Sequence, residues 1–296
     1  MVDPLAAGLQ SAGPPVVAPP VVAPQASAAP PPRRPAASRA WGTVRYYAPA
    51  IVVCVAGLAL WEFAVGALGL QKFILPKPSA IATALLERAG TLLPSARTTF
   101  VEAVGGLAIG TLAGTLVAFA TSRFATARDA LLPWAVAANA VPIIAFAPIM
   151  NNWFGVLSPL SKMMIVAILV FFPVMINVTR GLSQVDASAV ELMRSYAASE
   201  WTILRKVRIP NALPFFFTAL KIATTLSLIG AIVGEYFGGV DLVLGRQIVQ
   251  SASALRFDVT WAAIVLGAAM GIAFYLVVAG LERLLIPWHG SVREGG

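Results

Sequence analysis

The sequence predicts an all-α, polytopic membrane protein with about six transmembrane helices. Three observations carry this. Hydrophobic residues make up 58% of the 296-residue chain and charged residues only 11%. Mean hydropathy is +0.82. The apolar residues also fall into separate blocks, each long enough to cross a bilayer. A soluble domain carries about a quarter charged residues, so a chain this poor in charge takes lipid as the solvent for most of its surface.

Residues 1–40 stand apart from the rest. Ten of the 22 prolines fall in the first 35 residues, among Ala, Val, Gln and Ser. Proline has no backbone N–H and opposes helix, and no long apolar block accompanies it. The expectation is a disordered cytoplasmic tail, followed by a membrane domain over 41–296. The tail lacks the basic start and apolar centre of a signal peptide.

A bilayer core of about 30 Å calls for about 20 mostly apolar residues per helix. Six stretches qualify: about 48–68, 98–120, 132–153, 160–180, 213–237 and 260–284. Backbone polar groups in lipid must be satisfied within the segment, so each is expected to be helical. With the N-terminus inside, the inner segments hold 13 Lys and Arg and the outer ones 7, with Lys221 inside a span. That excess places both termini in the cytoplasm. Between the first two spans, 69–97 carries Pro76 and Pro78 and then an amphipathic run over 80–89, expected as an interfacial helix on the outer face.

Several function classes drop out on composition. The net charge of +8 comes mainly from Lys and Arg lying between apolar stretches, where they set orientation. It is not the basic patch that nucleic-acid binding needs. Cys54 is the single cysteine and His289 the single histidine, which excludes an intrachain disulfide and Cys- or His-based metal clusters. A membrane-embedded enzyme lacks the parts for metal or nucleophilic chemistry. A secondary transporter or channel is the competing class, but the six spans show no inverted repeat and no helix with paired buried carboxylates.

Small residues recur at four-residue spacing in Gly106/Gly110/Gly114, Gly230/Gly234 and Gly267/Gly271. Such faces let helix backbones approach closely, and bundle packing accounts for them. Pro142 and Pro148 fall within the third span and should kink or break it. Broken helices often line pathways, so the third and fifth spans are expected to line the pore. Candidate pathway residues are Asn139, Pro142, Thr224, Ser227 and Glu235. Charged residues inside a bilayer default to a functional reading. By position, Glu62 and Glu102 should reach water at the outer ends and Lys221 should snorkel at the inner end.

The longest inward loop covers 181–213. Asp186 or Ser188 can cap a first helix, and Ser188 with Glu191 fits a capping box. Ser199 can cap a second helix through Trp201, Leu204 and Val207, stopped by Pro210. The two would meet at Ala197 and Ala198. On physical grounds this pair suits either insertion into a groove of another protein or residence on anionic lipid, the latter favoured by Arg194, Arg205, Lys206 and Arg208.

The spacing of Glu191, Ala197 and Val207-Arg208-Ile209-Pro210 resembles the cytoplasmic EAA loop of binding-protein-dependent ABC importer permeases. That pattern reads Glu-Ala-Ala, three residues, Gly, nine residues, then Ile-x-Leu-Pro. Here Leu192 and Met193 replace the alanines and Ala197 replaces the glycine, while Glu191 and Pro210 keep their places. The segments 74–78 (ILPKP), 140–148 (AVPIIAFAP) and 171–173 (FFP) are similar to the nitrate, sulfonate and taurine branch, which includes pyrimidine and riboflavin permeases. The segment 234–239 (GEYFGG) leans towards the last two.

The resemblance implies a type I importer permease fold in the bacterial inner membrane. It implies two permease subunits, here a homodimer, on two cassette ATPases, with a periplasmic or lipid-anchored solute-binding protein. It also implies a coupling loop of Glu191, Ser195, Tyr196, Ala197, Ala198, Ser199 and Pro210. The sequence holds no Gly-x4-Gly-Lys-Ser/Thr phosphate loop. This chain is therefore expected to be a transport subunit without cofactors of its own, with ATP and magnesium bound by the partner ATPase.

Overall fold

Proline and glycine set where the helices begin and end in the computed structural model, which describes residues 36–122 and 124–287. The chain divides into two units, Met1–Cys54 and Val55–Gly296. In the first, the described residues form the start of α1 (Ala36–Ala67), and side chains 49–54 are exposed. Residues 36–40, assigned above to the tail, are helical. No proline follows until Pro49, and Ala, Ser and Arg all tolerate helix. The rest of the tail, Arg123, Trp288 and His289 lie outside the described residues.

The second unit is built from the remainder of α1 and ten further helices: α2 (Pro78–Glu87), α3 (Ala89–Ser122), α4 (Ala125–Asn139), α5 (Ala147–Phe154), α6 (Pro159–Ser183), α7 (Ala187–Ser195), α8 (Glu200–Ile203), α9 (Ile209–Tyr236), α10 (Leu244–Ser253) and α11 (Phe257–Leu285). No strand occurs among the described residues. The expected interfacial helix after Pro76 is α2. Its first turn is held by Glu62 of α1, which accepts from Ser79 N (3.0 Å) and Ser79 Oγ (2.8 Å). Glu62 thus serves as an N-cap supplied from another helix rather than merely reaching water.

Five helices are long and apolar enough to cross a membrane: Ala48–Ala67, Ala89–Ser122, Pro159–Ser183, Glu200–Tyr236 and Phe257–Leu285. The expected third span is split into α4, a 3₁₀ turn (Ile143–Phe146) and α5. The break falls at Pro142, which has no N–H to continue α4 and pushes Val141 out of helical geometry. Pro148 does not break anything. It lies in the first turn of α5, where a missing donor costs nothing.

The core is α3 against α6, with α9 packed on α6. A Cβ at Gly106 would stand 2.4 Å from Val166 Cβ, one at Gly110 2.4 Å from Ala167 O, and one at Gly114 2.7 Å from Phe171 O. The two backbones touch along this stripe, and the order of the contacts makes α3 and α6 parallel. Gly230 faces Val166 and Gly234 faces Ile165, so α9 runs antiparallel to α6. Gly267 faces Ile232 and Gly271 faces Leu228, so α11 is antiparallel to α9. All three stripes serve bundle packing. One end of the bundle therefore collects the starts of α3, α6 and α11 with the end of α9. The opposite end carries α7 and α8.

Adding a methyl group at one of these backbone contacts tests this arrangement. Gly110→Ala is expected to lower stability by about 1–3 kcal/mol through overpacking against backbone, seen as a depressed thermal midpoint in detergent. Gly280→Ala, where a Cβ meets nothing within 4 Å, should leave the midpoint unchanged or raise it.

Candidate functional site

The loop between α6 and α9 stands out from the bundle. Asp186 caps α7 by accepting from Ser188 N at 2.9 Å, so Asp186 rather than Ser188 takes the cap. No residue of α7 is buried. The helix stops in a Schellman motif. Ala198 N donates to Met193 O (3.0 Å) and Ala197 N to Arg194 O (2.9 Å), with Ala197 at φ 54. That left-handed conformation is the one glycine adopts without strain, which gives the glycine of the resembled pattern its physical reason. Arg194 and Glu200 pair across the elbow at 3.2 Å. Ser199 then caps α8 by accepting from Thr202 N, as expected.

Pro210 does not stop the second helix. A π-helical turn, Leu204–Arg208, joins α8 to α9, and the helix runs on from Glu200 to Tyr236. In this turn Ile209 N donates to Leu204 O, five residues back. The widened turn makes room for the proline ring, which would otherwise meet the carbonyl four residues before it. Asn211 fastens the start of α9 to the end of α6, its Nδ2 donating to Gly181 O (2.8 Å) and Gln184 O (2.9 Å). Beyond this anchorage Glu191, Ser195, Ala197 and Ser199 are exposed, as are Leu192, Tyr196 and Trp201, and Ala198 is half-buried. The elbow thus presents apolar side chains with nothing among the described residues packed over them.

At the other end of the bundle lies a buried polar cluster. Glu102 of α3, Lys162 of α6 and Glu235 of α9 are 3%, 1% and 0% exposed. Glu235 Oε2 accepts from Gly245 N (2.6 Å) and Thr99 Oγ1 from Leu244 N (2.9 Å), so the two side chains together cap α10. A Cβ at Gly245 would lie 2.3 Å from Ile232 O and 2.6 Å from Glu235 Cβ, so only glycine permits this seat. Lys162 Nζ donates to Asn151 Oδ1 (3.3 Å) and to Val156 O, and Asn151 Nδ2 donates to Phe237 O (3.2 Å). These bonds tie α5, α6 and the end of α9 together.

Two expectations, on Glu102 and Lys221, are corrected here. Glu102 does not reach water; it is enclosed beside Glu235. Lys221 does not snorkel freely but pairs with Glu282 of α11 at 2.7 Å. Glu235 takes a helix-capping place inside the chain. Thr224 and Ser227 are fully buried, their hydroxyls bonded back to Lys221 O and Thr224 O. In this conformation all three are closed off within one chain. Asn139 and Pro142 are exposed at the break after α4. The open face of α9 is the one turned to α11, where Thr225, Ile229, Tyr236, Gly267, Ile272 and Tyr275 help line an apolar groove of about 540 Å³. Sequence reasoning counted Lys162 with the outer positive charges, at the very start of the 160–180 span. Ser158 caps α6 and Pro159 starts it, placing a cation in the first turn, where the helix dipole opposes it. That mismatch is the signal of buried carboxylate partners.

Residues 91–289 match the family described as the inner membrane component of binding-protein-dependent transport systems. The chain belongs to that family. The riboflavin transport system permease of Chloroflexus aurantiacus is 28% identical over 236 residues, covering 79% of this chain and 87% of that protein. The formylaminopyrimidine transport permease of Halalkalibacterium halodurans is 29% identical over 235 residues, covering 78% and 92%. Further similar permeases are named for taurine, aliphatic sulfonates and nitrate, the branch that the sequence motifs resemble. Among solved structures, an inward-facing MetNI methionine ABC transporter shares the fold with a TM-score of 0.51 at 20% identity, over 68% of this chain and 95% of that one. This permease is thus a multi-pass inner-membrane subunit of an ABC importer for a small solute, with the type I importer fold.

Two substitutions probe the permease at its two ends. Lys162→Met leaves two buried carboxylates without their cation and should cost about 3 kcal/mol, read as a lowered thermal midpoint. Adding Glu102→Gln should recover part of that loss. At the elbow, Ala197→Gly should stabilise by about 1 kcal/mol by relieving the left-handed strain. An unchanged or lower midpoint for Ala197→Gly would contradict the strain argument.

Proposed function

We propose that this permease couples ATP hydrolysis on separate cassette ATPase subunits to inward movement of a small polar solute, through the exposed α7–α8 elbow. The observation that carries this is the elbow itself: a capped stop at Ala197 that holds Leu192, Tyr196 and Trp201 outward with no partner among the described residues. An amphipathic anchor on lipid needs no such sharp, fixed turn, whereas docking into a groove does. Glu191, Ser195, Tyr196, Ala197, Ala198 and Ser199 form the docking surface, and Pro210 sets the junction with α9. The elbow faces the cytoplasm with both termini, in line with the Lys and Arg distribution. ATP and magnesium belong to the partner.

The working assembly in this reading is two copies of the chain on two ATPases, served by a periplasmic or lipid-anchored binding protein. The translocation path runs beside the second copy, along the open face of α9 and the break at Asn139 and Pro142. Groups buried in the present conformation, Thr224, Ser227 and Glu235, meet it only if the helices rearrange. The names of the two relatives above and the Gly234–Gly239 segment favour a planar heterocycle of the pyrimidine or flavin kind as solute. ATP binding and hydrolysis drive a two-state bundle whose nucleotide and solute sites are linked thermodynamically.

Glu191→Lys and Ala197→Trp test the elbow. Both variants should insert in the membrane at normal levels yet lose most uptake in whole cells, and the ATPase should no longer co-purify with Glu191→Lys. Normal uptake together with normal ATPase recovery in both variants would remove the elbow from coupling. Transport by the purified chain without ATP would favour an ATPase-independent carrier.

A further inference from the structure

At the end of the bundle remote from the elbow, the α2–α3 junction, α10 and the α10–α11 turn enclose a small polar pocket of about 150 Å³. Its wall carries two guanidinium groups, Arg88 and Arg256, with Thr91, Gln247 and Gln250 beside them. Neither arginine makes an ion pair among the described residues. Asp241 lies near but outside the wall, held by Arg246 at 3.4 Å and by the amide of Gln250 at 3.4 Å. Asp258 turns to its own neighbour, accepting from Val259 N at 2.9 Å. Glu87 is exposed and does not line the pocket.

The backbone leaves the positive charge to the arginines: the starts of α3 and α11 border the pocket, but so do the ends of α2, C-capped by Arg88, and of α10, C-capped by Ala254, and their dipoles oppose one another. Arg256 is also set there at a conformational cost. Leu255 N donates to Ala252 O (3.0 Å) and Arg256 N to Ser251 O (2.8 Å), with Leu255 at φ 56. A bulky residue in the left-handed region is uncommon, and such strain gathers at functional sites. Leu255 itself is 67% exposed beside the opening.

We propose that this pocket receives an acidic side chain of the solute-binding protein, whose carboxylate sits between Arg88 and Arg256. The inference rests on the importer reading above, which puts this end of the bundle outside. Small-molecule sites span about 300–1,000 Å³, so a heterocyclic solute is too large for this pocket, whereas a single carboxylate side chain suits its size and charge. Arginine pairs carboxylates in bidentate geometry. The pocket is also joined to the rest of the machine. Its floor includes α10, whose first turn is capped by Glu235 of α9, and the same helix continues to Glu200 at the elbow.

The test uses the whole importer in lipid nanodiscs, with ATP hydrolysis followed as the system's own binding protein is titrated in. Arg88→Ala/Arg256→Ala should raise the half-saturating concentration of binding protein about tenfold, the loss expected when a charge-assisted contact is removed. The salt dependence of that value should fall. Basal hydrolysis and recovery of the ATPase should stay at wild-type levels, which shows that the fold is intact. Arg88→Glu/Arg256→Glu should abolish stimulation, and an acidic-to-arginine change on the binding protein should restore it.

Half-saturation unmoved by the double alanine variant would overturn the proposal. So would a half-saturation that follows the phosphatidylglycerol content of the disc but not the two arginines, which assigns the pocket to lipid phosphate. Hydrolysis by the alanine variant that responds normally to binding protein but abnormally to free solute would assign it to solute. Failure of the wild-type complex to respond to binding protein at all would defeat the importer reading together with this one.

Discussion

The buried cation at Lys162 is the constraint on which the end of the bundle remote from the elbow depends. A lysine only 1% exposed, at the start of an apolar helix, is tolerable only where compensating charge and acceptors lie close. Asn151 and the Val156 carbonyl supply the acceptors, and the Glu102 and Glu235 carboxyl groups stand nearby without pairing directly with it. Those bonds join α5 to α6, and Asn151 carries the link on to the end of α9. Glu235 in turn seats α10, and α10 forms part of the arginine-lined pocket. A buried charged cluster is a weak source of net stability, but removing one member is costly, so the cluster acts chiefly to specify one arrangement.

The end that carries the elbow is specified differently. There the bundle relies on close backbone approach at Gly110 and Gly114 and on the Lys221–Glu282 pair between α9 and α11. The elbow beyond it is held by the Asp186 and Ser199 caps, the Schellman stop, the Arg194–Glu200 pair and, at its base, the Asn211 anchor. A segment stabilised from within needs no packing partner to keep its shape. Its apolar side chains can therefore stay exposed without loss of that shape.

Much of this was legible in the sequence because it follows from periodicity and punctuation. Five helices long enough to span appear where apolar blocks of about 20 residues lie, and the break in the third block falls at Pro142. The elbow at Ala197 and the Ser199 cap were readable from small and capping residues at helical spacing. What escaped was tertiary. Glu62, Glu102 and Glu235 look alike in sequence, as acids near the outer ends of spans. One caps α2, one is buried beside another carboxylate, and one caps α10, a helix too polar and short to announce itself. Lys162 was counted with the outer charges because it stands in the first turn of its span, where a long cation ordinarily reaches the interface. Pro210 looked like a terminator because a π turn depends on hydrogen-bond register, which no residue pattern in 200–210 displays.

That π turn has a mechanical meaning. An α-helix advances about 100° per residue, so the extra residue accommodated between Leu204 and Arg208 rotates everything before it by that angle about the axis of α9. It sets the compass bearing of Trp201 and the elbow independently of the bearing that lipid and neighbouring helices impose on the spanning part. A wide turn with five-residue hydrogen bonds is also a poorer torsion rod than the helix on either side. The long rod from Glu200 to Tyr236 thus contains a compliant collar close to its elbow end, and in the proposed coupling that collar is the first part of the rod to take up a movement of the elbow.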